Sequence, residues 1–242
     1  MQSPLVFRAL APYSQIMATG KLLIVGTPIG NIEDITLRAL RTLREVDCVA
    51  AEDTRHTGQL LTRYEIHKPL VSYHEFNEAK RTPELLAKLR AGQQVALVSD
   101  AGMPTLSDPG LRLIAAAVAD GQAVEVIPGI SAITTALAGS GLPVQPFLFY
   151  GFLPHKSAQR EKIFRQLTAL PFTLVFFESP YRLIKSLTAL QTICGDRRVV
   201  VARELTKKFE ETLRGKPEIL LKRLENRAIK GEITLIIEAP KK

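Results

Sequence analysis

The sequence has no tryptophan, and aromatic residues make up only 6% of its 242 positions. A platform of rings for stacking nucleic-acid bases is therefore not its obvious design. Cysteine is nearly absent as well. Cys48 and Cys194 lie far apart, with no C-x-x-C and no neighbouring histidine pair, which excludes a disulfide framework and a zinc ribbon. Both are expected as buried free thiols in a reducing compartment. The four histidines, His56, His67, His74 and His155, show no metal-ligand spacing, so no metal is expected; His67, beside Lys68 and Pro69, reads as a surface residue. There is no G-x-x-x-x-G-K-[ST], no G-x-G-x-x-G and no G-x-S-x-G. A P-loop, an ordinary dinucleotide fold and a serine-hydrolase elbow are thereby excluded.

Long hydrophobic runs are missing too. Residues 126–154 carry no charge, but Pro128, Gly129, Gly139, Gly141, Pro143, Pro146 and Gly151 interrupt them, so they do not read as a membrane span. Residues 1–20 contain no compact apolar core of a signal peptide and read as an N-terminal tail, with Met17 a natural second start. A soluble, cytoplasmic protein without membrane attachment is expected.

What is present is 46% hydrophobic and 23% charged residues, ordinary for a globular chain. The net charge of +8 is unevenly placed: residues 1–150 carry −1 and residues 151–242 carry +9. Such asymmetry points to a polyanion partner for the second half, against a merely solvated basic surface.

Short apolar runs alternate with amphipathic stretches along the whole chain. Strands are expected over 22–26, 48–51, 70–73, 94–99, 123–127, 147–150, 172–177, 198–202, 211–214 and 232–237. Helices are expected over 36–44, 58–64, 77–90, 111–120, 132–138, 157–170, 181–194 and 217–224. Asp34 or Thr36 caps the first helix and Ser131 the fifth. This alternation predicts an α/β fold with mostly parallel sheets. The Pro-rich stretch 142–146, where the charge changes sign, divides a first domain, 21–145, from a basic second domain, 146–242. Polar residues collect at strand ends, in 27–31, 52–56, 100–110, 128–132 and at Glu178, where open α/β sheets bind ligands.

Several of these stretches also match a known family: Gly26-Thr27-Pro28-Ile29-Gly30-Asn31, Ala51-Glu52-Asp53-Thr54-Arg55-His56-Thr57, Ser99-Asp100-Ala101-Gly102-Met103-Pro104, Ser107-Asp108-Pro109-Gly110 and Gly151-Phe152-Leu153-Pro154. So do Ala202-Arg203-Glu204-Leu205-Thr206-Lys207 and Lys230-Gly231-Glu232. With them the chain closely resembles the small-subunit ribosomal RNA methyltransferases of the tetrapyrrole methylase superfamily. The resemblance runs in order from about residue 22 to 238. It implies two α/β domains of the tetrapyrrole methylase type with the cofactor cleft between them, S-adenosylmethionine as cofactor, and a homodimer. The implied reaction is 2′-O-methylation of a cytidine ribose in 16S ribosomal RNA, within the 30S subunit. The alternatives are a methylase of a small tetrapyrrole precursor, against which the +9 second half argues, and a catalytically silent RNA-binding module. Many members of the family continue into a small C-terminal helical segment, so RNA contacts made there are expected to be missing.

Carried over position by position, the resemblance puts Pro28, Asp100, Ala101, Gly102, Leu106, Ser107, Ser131 and Ala132 at the cofactor, with Glu178, Leu205 and Thr234 from the second domain. Asp100 is the first candidate to face the positive sulfonium. A ribose hydroxyl is a weak nucleophile, and a base or a nearby cation would help it. Candidates fall on three loops: Glu52, Asp53, Arg55 and His56; His74, Glu75 and Asn77; Arg203, Glu204 and Lys207. For phosphates the basic set is Lys156, Arg160, Lys162, Arg165, Arg182, Arg203, Lys207 and Lys208.

Overall fold

The computed structural model describes residues 20–240. The tail expected over 1–20 lies, Gly20 apart, outside the described residues. The first half forms β1 (Lys21–Val25), α1 (Leu37–Glu45), β2 (Cys48–Ala51), α2 (Thr54–Arg63), β3 (Leu70–Ser72), α3 (Glu78–Arg90), β4 (Gln94–Val98), α4 (Leu111–Ala119), β5 (Ala123–Ile127) and α5 (Ala132–Ser140). The second forms β6 (Phe147–Phe152), α6 (Ser157–Thr168), β7 (Thr173–Glu178), α7 (Leu183–Cys194), β8 (Val199–Arg203), β9 (Glu211–Gly215), α8 (Pro217–Leu224) and β10 (Ile233–Ile237).

The first sheet has the order β3-β2-β4-β1-β5 and every pairing is parallel. Its strands are apolar on both faces, as parallel strands must be when helices cover both. Leu23, Val25, Val49, Ala96 and Val98 face α1 and α2. Leu22, Ala50, Val95 and Leu97 face α3 and α4 through Leu85, Leu89, Leu113 and Ala117. Neighbouring strands β1 and β4 are thus followed by helices on opposite faces, and a crevice opens where their loops part.

The second sheet, β6-β7-β10-β8-β9, departs from the expected parallel arrangement. Only β6 and β7 run parallel; β7–β10, β10–β8 and β8–β9 are antiparallel. No helix lies between β8 and β9 to make a crossover, and strands joined by a short loop pair antiparallel. One face carries α6, α7 and α8 over Phe164, Phe176, Leu187 and Leu235. The other, with Val175, Val200, Ala202 and Ile236, is covered by Ile133, Ala136 and Leu137 of α5 and by Ile29 of the β1 loop. The last helix of the first half thereby joins the two sheets through one apolar layer.

Local chemistry explains the smaller differences from expectation. Thr36, not Asp34, caps α1, its Oγ1 accepting from the Ala39 N–H at 3.0 Å. Helix α2 starts at Thr54, ahead of the expected 58, because Asp53 caps it through the Arg55 N–H at 2.8 Å. Ser131 stands at the start of α5 without a side-chain cap bond. Helix α7 starts at Leu183, which leaves Pro180 and Tyr181 in the preceding turn. Cys48 and Cys194 are buried and free. Among the described residues, no helix is long and apolar enough to cross a membrane.

Candidate active site

The crevice is set by three strand-end loops of the first sheet. Thr27, just past β1, and Gly102, just past β4, exchange backbone hydrogen bonds in both directions, 2.9 and 3.1 Å. The buried Thr27 hydroxyl also donates to the Ser99 carbonyl at 3.1 Å. Gly26 meets Gly129, at the end of β5, backbone to backbone: a methyl added at Gly26 would stand 2.7 Å from the Gly129 Cα. Close approach of two chains is the reason for glycine at both places. These contacts hold residues 99–108 over the carboxyl ends of β1 and β4.

Between this floor and the second sheet lies a cavity of about 290 Å³, near the lower end of ordinary ligand sites. Ile29, Ala101, Gly102, Met103, Leu106, Asp108, Ser131, Ala132 and Ile133 line it from the first half. Phe152, residues 177–180, Ala202, Leu205 and residues 231–234 line it from the second. Of the expected cofactor residues, Ala101, Gly102, Leu106, Ser131, Ala132, Glu178, Leu205 and Thr234 share this lining.

Three of the expected cofactor residues do not. Pro28 is buried and does not reach the cavity lining. Ser107, at φ +73°, is exposed and turned toward Gly151 at the end of the second sheet's first strand. Asp100 serves the loop itself: its Oδ1 accepts the Asp53 N–H at 2.9 Å, while its own N–H reaches the Glu52 carboxylate at 3.5 Å. Glu178 is at the cavity wall, yet its carboxylate is spoken for. It accepts from the Ser179 N–H, the Arg182 guanidinium and the Ser186 hydroxyl.

The carboxylate that sequence reasoning missed is Asp108. It lines the cavity. Burial pushes its carboxyl up to about 7, and repulsion from Glu52, Asp100 and Glu232 adds to the shift while a hydrogen bond from Ser99 opposes it. Burial also raises Glu52, with Asp100 repelling it and His74 partly compensating. Two signals were available: Asp108 is the second acid of the loop 98–110, and it lies in the stretch Ser107-Asp108-Pro109-Gly110 that carries the resemblance; which way it points depends on the turn at Thr105 and Ser107, both at positive φ.

The other catalytic candidates separate. Arg55 is exposed and holds Asp53 well below the usual carboxylate range. His74 sits edge-on to Phe76, its Nδ1 buried without a hydrogen-bond partner. Arg203 is a clamp: it binds Glu211 and the carbonyls of Lys230 and Phe209. Lys207 bridges Glu204 at 2.9 Å and Glu232 at 3.1 Å, and its loop meets the first half where Thr206 Oγ1 accepts the Asn31 N–H at 3.0 Å.

Two of the expected phosphate contacts are engaged within the protein. Arg160 is 1% exposed and donates to the Pro154 and His155 carbonyls instead of reaching solvent. Arg182 is engaged by buried Glu178 and by His155 Nδ1, 2.9 Å away. Lys156, Lys162, Arg165 and Lys208 do stand exposed. Among the described residues, no group of three or more His, Cys, Asp or Glu is placed to hold a metal ion.

Two mixed-layer sheets with an apolar cleft between them define a class of protein, the methylases built on the tetrapyrrole methylase fold. Solved structures of that class share the fold: CobJ methyltransferase (TM-score 0.68, 18% identity, 91% of this chain and 94% of that one) and diphthine synthase (TM-score 0.70, 17% identity, 90% of both). The uroporphyrin-III C-methyltransferase of Thermus thermophilus, complexed with S-adenosyl homocysteine, has TM-score 0.62 at 19% identity and covers 90% of this chain and 97% of that one. The family described as Tetrapyrrole (Corrin/Porphyrin) Methylases matches residues 21–220. Among curated relatives, ribosomal RNA small subunit methyltransferase I of Thermotoga maritima is 50% identical over 218 residues, 90% of this chain and 98% of that protein. Its counterpart in Halalkalibacterium halodurans is 48% identical over 93% of this chain and 78% of that protein. The chain belongs to the tetrapyrrole methylase family, in the branch of ribosomal RNA small subunit methyltransferase I.

Proposed function

We propose that the chain transfers a methyl group from S-adenosylmethionine to the ribose 2′-hydroxyl of a cytidine in small-subunit ribosomal RNA. The identity to the Thermotoga maritima relative, over nearly the whole of both chains, carries this reading. A small tetrapyrrole precursor as substrate is less supported: the uroporphyrin-III methyltransferase neighbours are 24% identical or less, a level that speaks for the fold alone.

The cleft fits the cofactor. Ile29, Ala101, Leu106, Ala132 and Ile133 offer an apolar wall for an adenine, and the backbone at Ala101 and Gly102 lets a ligand approach closely. The Asp108 carboxylate, when ionised, puts a negative charge on the lining that suits a cation, whereas Glu232 is already bridged by Lys207. When bound, S-adenosylmethionine supplies an electrophilic methyl group. The protein's part is then to orient the ribose and to move its proton. Asp108 is placed to accept that proton on its carboxylate, and a group titrating near 7 is suited to the task at neutral pH.

The protein is further proposed to work in the cytoplasm on the 30S subunit, as a homodimer. An apolar stripe on α4, Leu111 to Val118, and the edge strands β5 and β6 with Val126, Phe147 and Tyr150 stay exposed, a pattern of surfaces that associate. The boundary between the two domains is placed in 142–146, between α5 and β6. Incubating isolated small subunits with the protein and labelled S-adenosylmethionine, then mapping ribose methylation, tests the main reading. It fails if label enters no cytidine ribose.

A further inference from the structure

Aromatic residues are scarce, yet three of them stand out of the second domain at the edge of the cleft. Tyr181 is 90% exposed, Phe209 67% and Phe152 58%. Phe152 lines the cavity, and its ring is held in a tilted contact with Phe177, 5.3 Å between centroids and 57° between planes, while much of it stays exposed. Tyr181 follows directly on lining residues 178–180 and its N–H is held by the Ser179 hydroxyl. The loop of Phe209 is tied by Arg203 to the Lys230 carbonyl, next to lining residue Gly231. Exposed rings on anchored loops lose little freedom when something stacks on them.

The setting of the rings is basic. The Lys208 ammonium lies 5.7 Å from the Phe209 ring centroid, Lys156 follows Phe152 on the same connection, and residues 151–242 carry a net +9. Rings interleaved with cations match bases and phosphates. A duplex would hide its base faces, so the matching form is unpaired RNA. We propose that Phe152, Tyr181 and Phe209 form a stacking platform for an unpaired RNA segment, with Lys156 and Lys208 on its phosphates. The target nucleotide rests on Phe152 at the mouth of the cleft. This rests on the RNA reading above and adds the form in which the RNA is taken.

The test uses the full chain and a fluorescein-labelled, cytidine-containing single-stranded RNA, followed by fluorescence anisotropy, with the same strand annealed to its complement as the second probe. Tyr181→Ala and Phe209→Ala are each expected to weaken single-strand binding roughly tenfold or more. Tyr181→Phe, which keeps the ring, is expected to bind like the wild type, and the duplex more weakly than the single strand. Alanine variants that bind the single strand within about twofold of wild type, or a wild type that prefers the duplex, overturn the proposal. So does a smaller sedimenting species in the alanine variants at unchanged RNA affinity, which assigns the rings to an interface between copies. Methylation of small subunits by wild type and alanine variants alike sinks the platform and leaves the enzyme reading standing. Ring-dependent binding without any methylation does the reverse.

Discussion

Thr27 and Gly102 are joined by a reciprocal pair of backbone hydrogen bonds, 2.9 and 3.1 Å, across the parting of β1 and β4. The pair fixes the height of the loop that carries Ala101, Met103, Leu106 and Asp108 over the first sheet. Gly102 holds φ +82°, and a methyl there would meet the Ile29 side chain at 3.3 Å on the cavity wall.

Gly102→Ala is therefore expected to do two things at once. Positive φ costs an alanine about 1 kcal/mol, read as a lower Tm. The added methyl enters the cleft, so calorimetric affinity for S-adenosylmethionine drops by about tenfold or more, since misfit in a packed site costs on the order of 1–3 kcal/mol. Unchanged affinity with a lower Tm would remove this loop from the cofactor.

Asp108 makes a prediction in pH. As the proton acceptor it works ionised, so the wild-type kcat/KM rises with pH and levels off above about 7. Asp108→Asn flattens that profile and slows the reaction by about 10²-fold or more. The sign for stability is opposite. The folded-state value lies above the unfolded one, so the native protein holds the proton longer, and stability falls as pH rises from about 4 through 7. Asp108→Asn is expected to be more stable than wild type at pH 8, by on the order of 1–2 kcal/mol, since solvent reaches part of the group. Denaturant melts at pH 5 and pH 8 check this; equal differences at the two would contradict it.

Asp100 reads differently from Asp108 although both sit in one loop. Its carboxylate holds the Asp53 N–H and so joins the ends of β4 and β2. Asp100→Ala leaves that donor unpaired, worth about 1–2 kcal/mol, and loosens residues 52–55. A Tm loss with cofactor affinity within about tenfold is expected; a large affinity loss at unchanged Tm would place Asp100 on the cofactor after all.

Most of the fold could be read from the chain because each strand is a short apolar run and each helix carries a stripe at helical spacing. Where a helix connects two strands, as α1 to α4 do, the parallel pairing follows from the connection. The second sheet was harder. Nothing local in β8, β9 or β10 states that β10 inserts between β7 and β8; that follows from which apolar faces need cover. Ala101, Gly102 and Ala132 were expected at the cofactor because the family resemblance covers their stretches, and they line the cavity. Asp108 was not, because its role comes from burial in the folded cleft and from Glu52 and Glu232, which are distant in the chain, joining Asp100 of its own loop around it. Arg160 was misread because a basic residue in a basic helix looks solvated until the backbone carbonyls of Pro154 and His155 are seen to be waiting for it.

Arg160 and Lys208 then give opposite signatures for the same change to alanine. Arg160 is buried and hydrogen-bonded to two carbonyls, so Arg160→Ala opens a cavity and strips those acceptors, at about 2–3 kcal/mol of stability. Its effect on RNA binding follows only from lost fold, and raising the salt concentration changes binding as steeply as in wild type. Lys208 is exposed beside Phe209, and Lys208→Ala leaves stability within about 0.5 kcal/mol of wild type. If it neutralises one phosphate, the slope of log affinity against log salt becomes shallower by about 0.7–1. Anisotropy titrations of single-stranded RNA at several salt concentrations, with Tm measured on the same preparations, separate the two. An unchanged slope in Lys208→Ala would take this lysine off the phosphate path and leave its ammonium serving only the neighbouring ring.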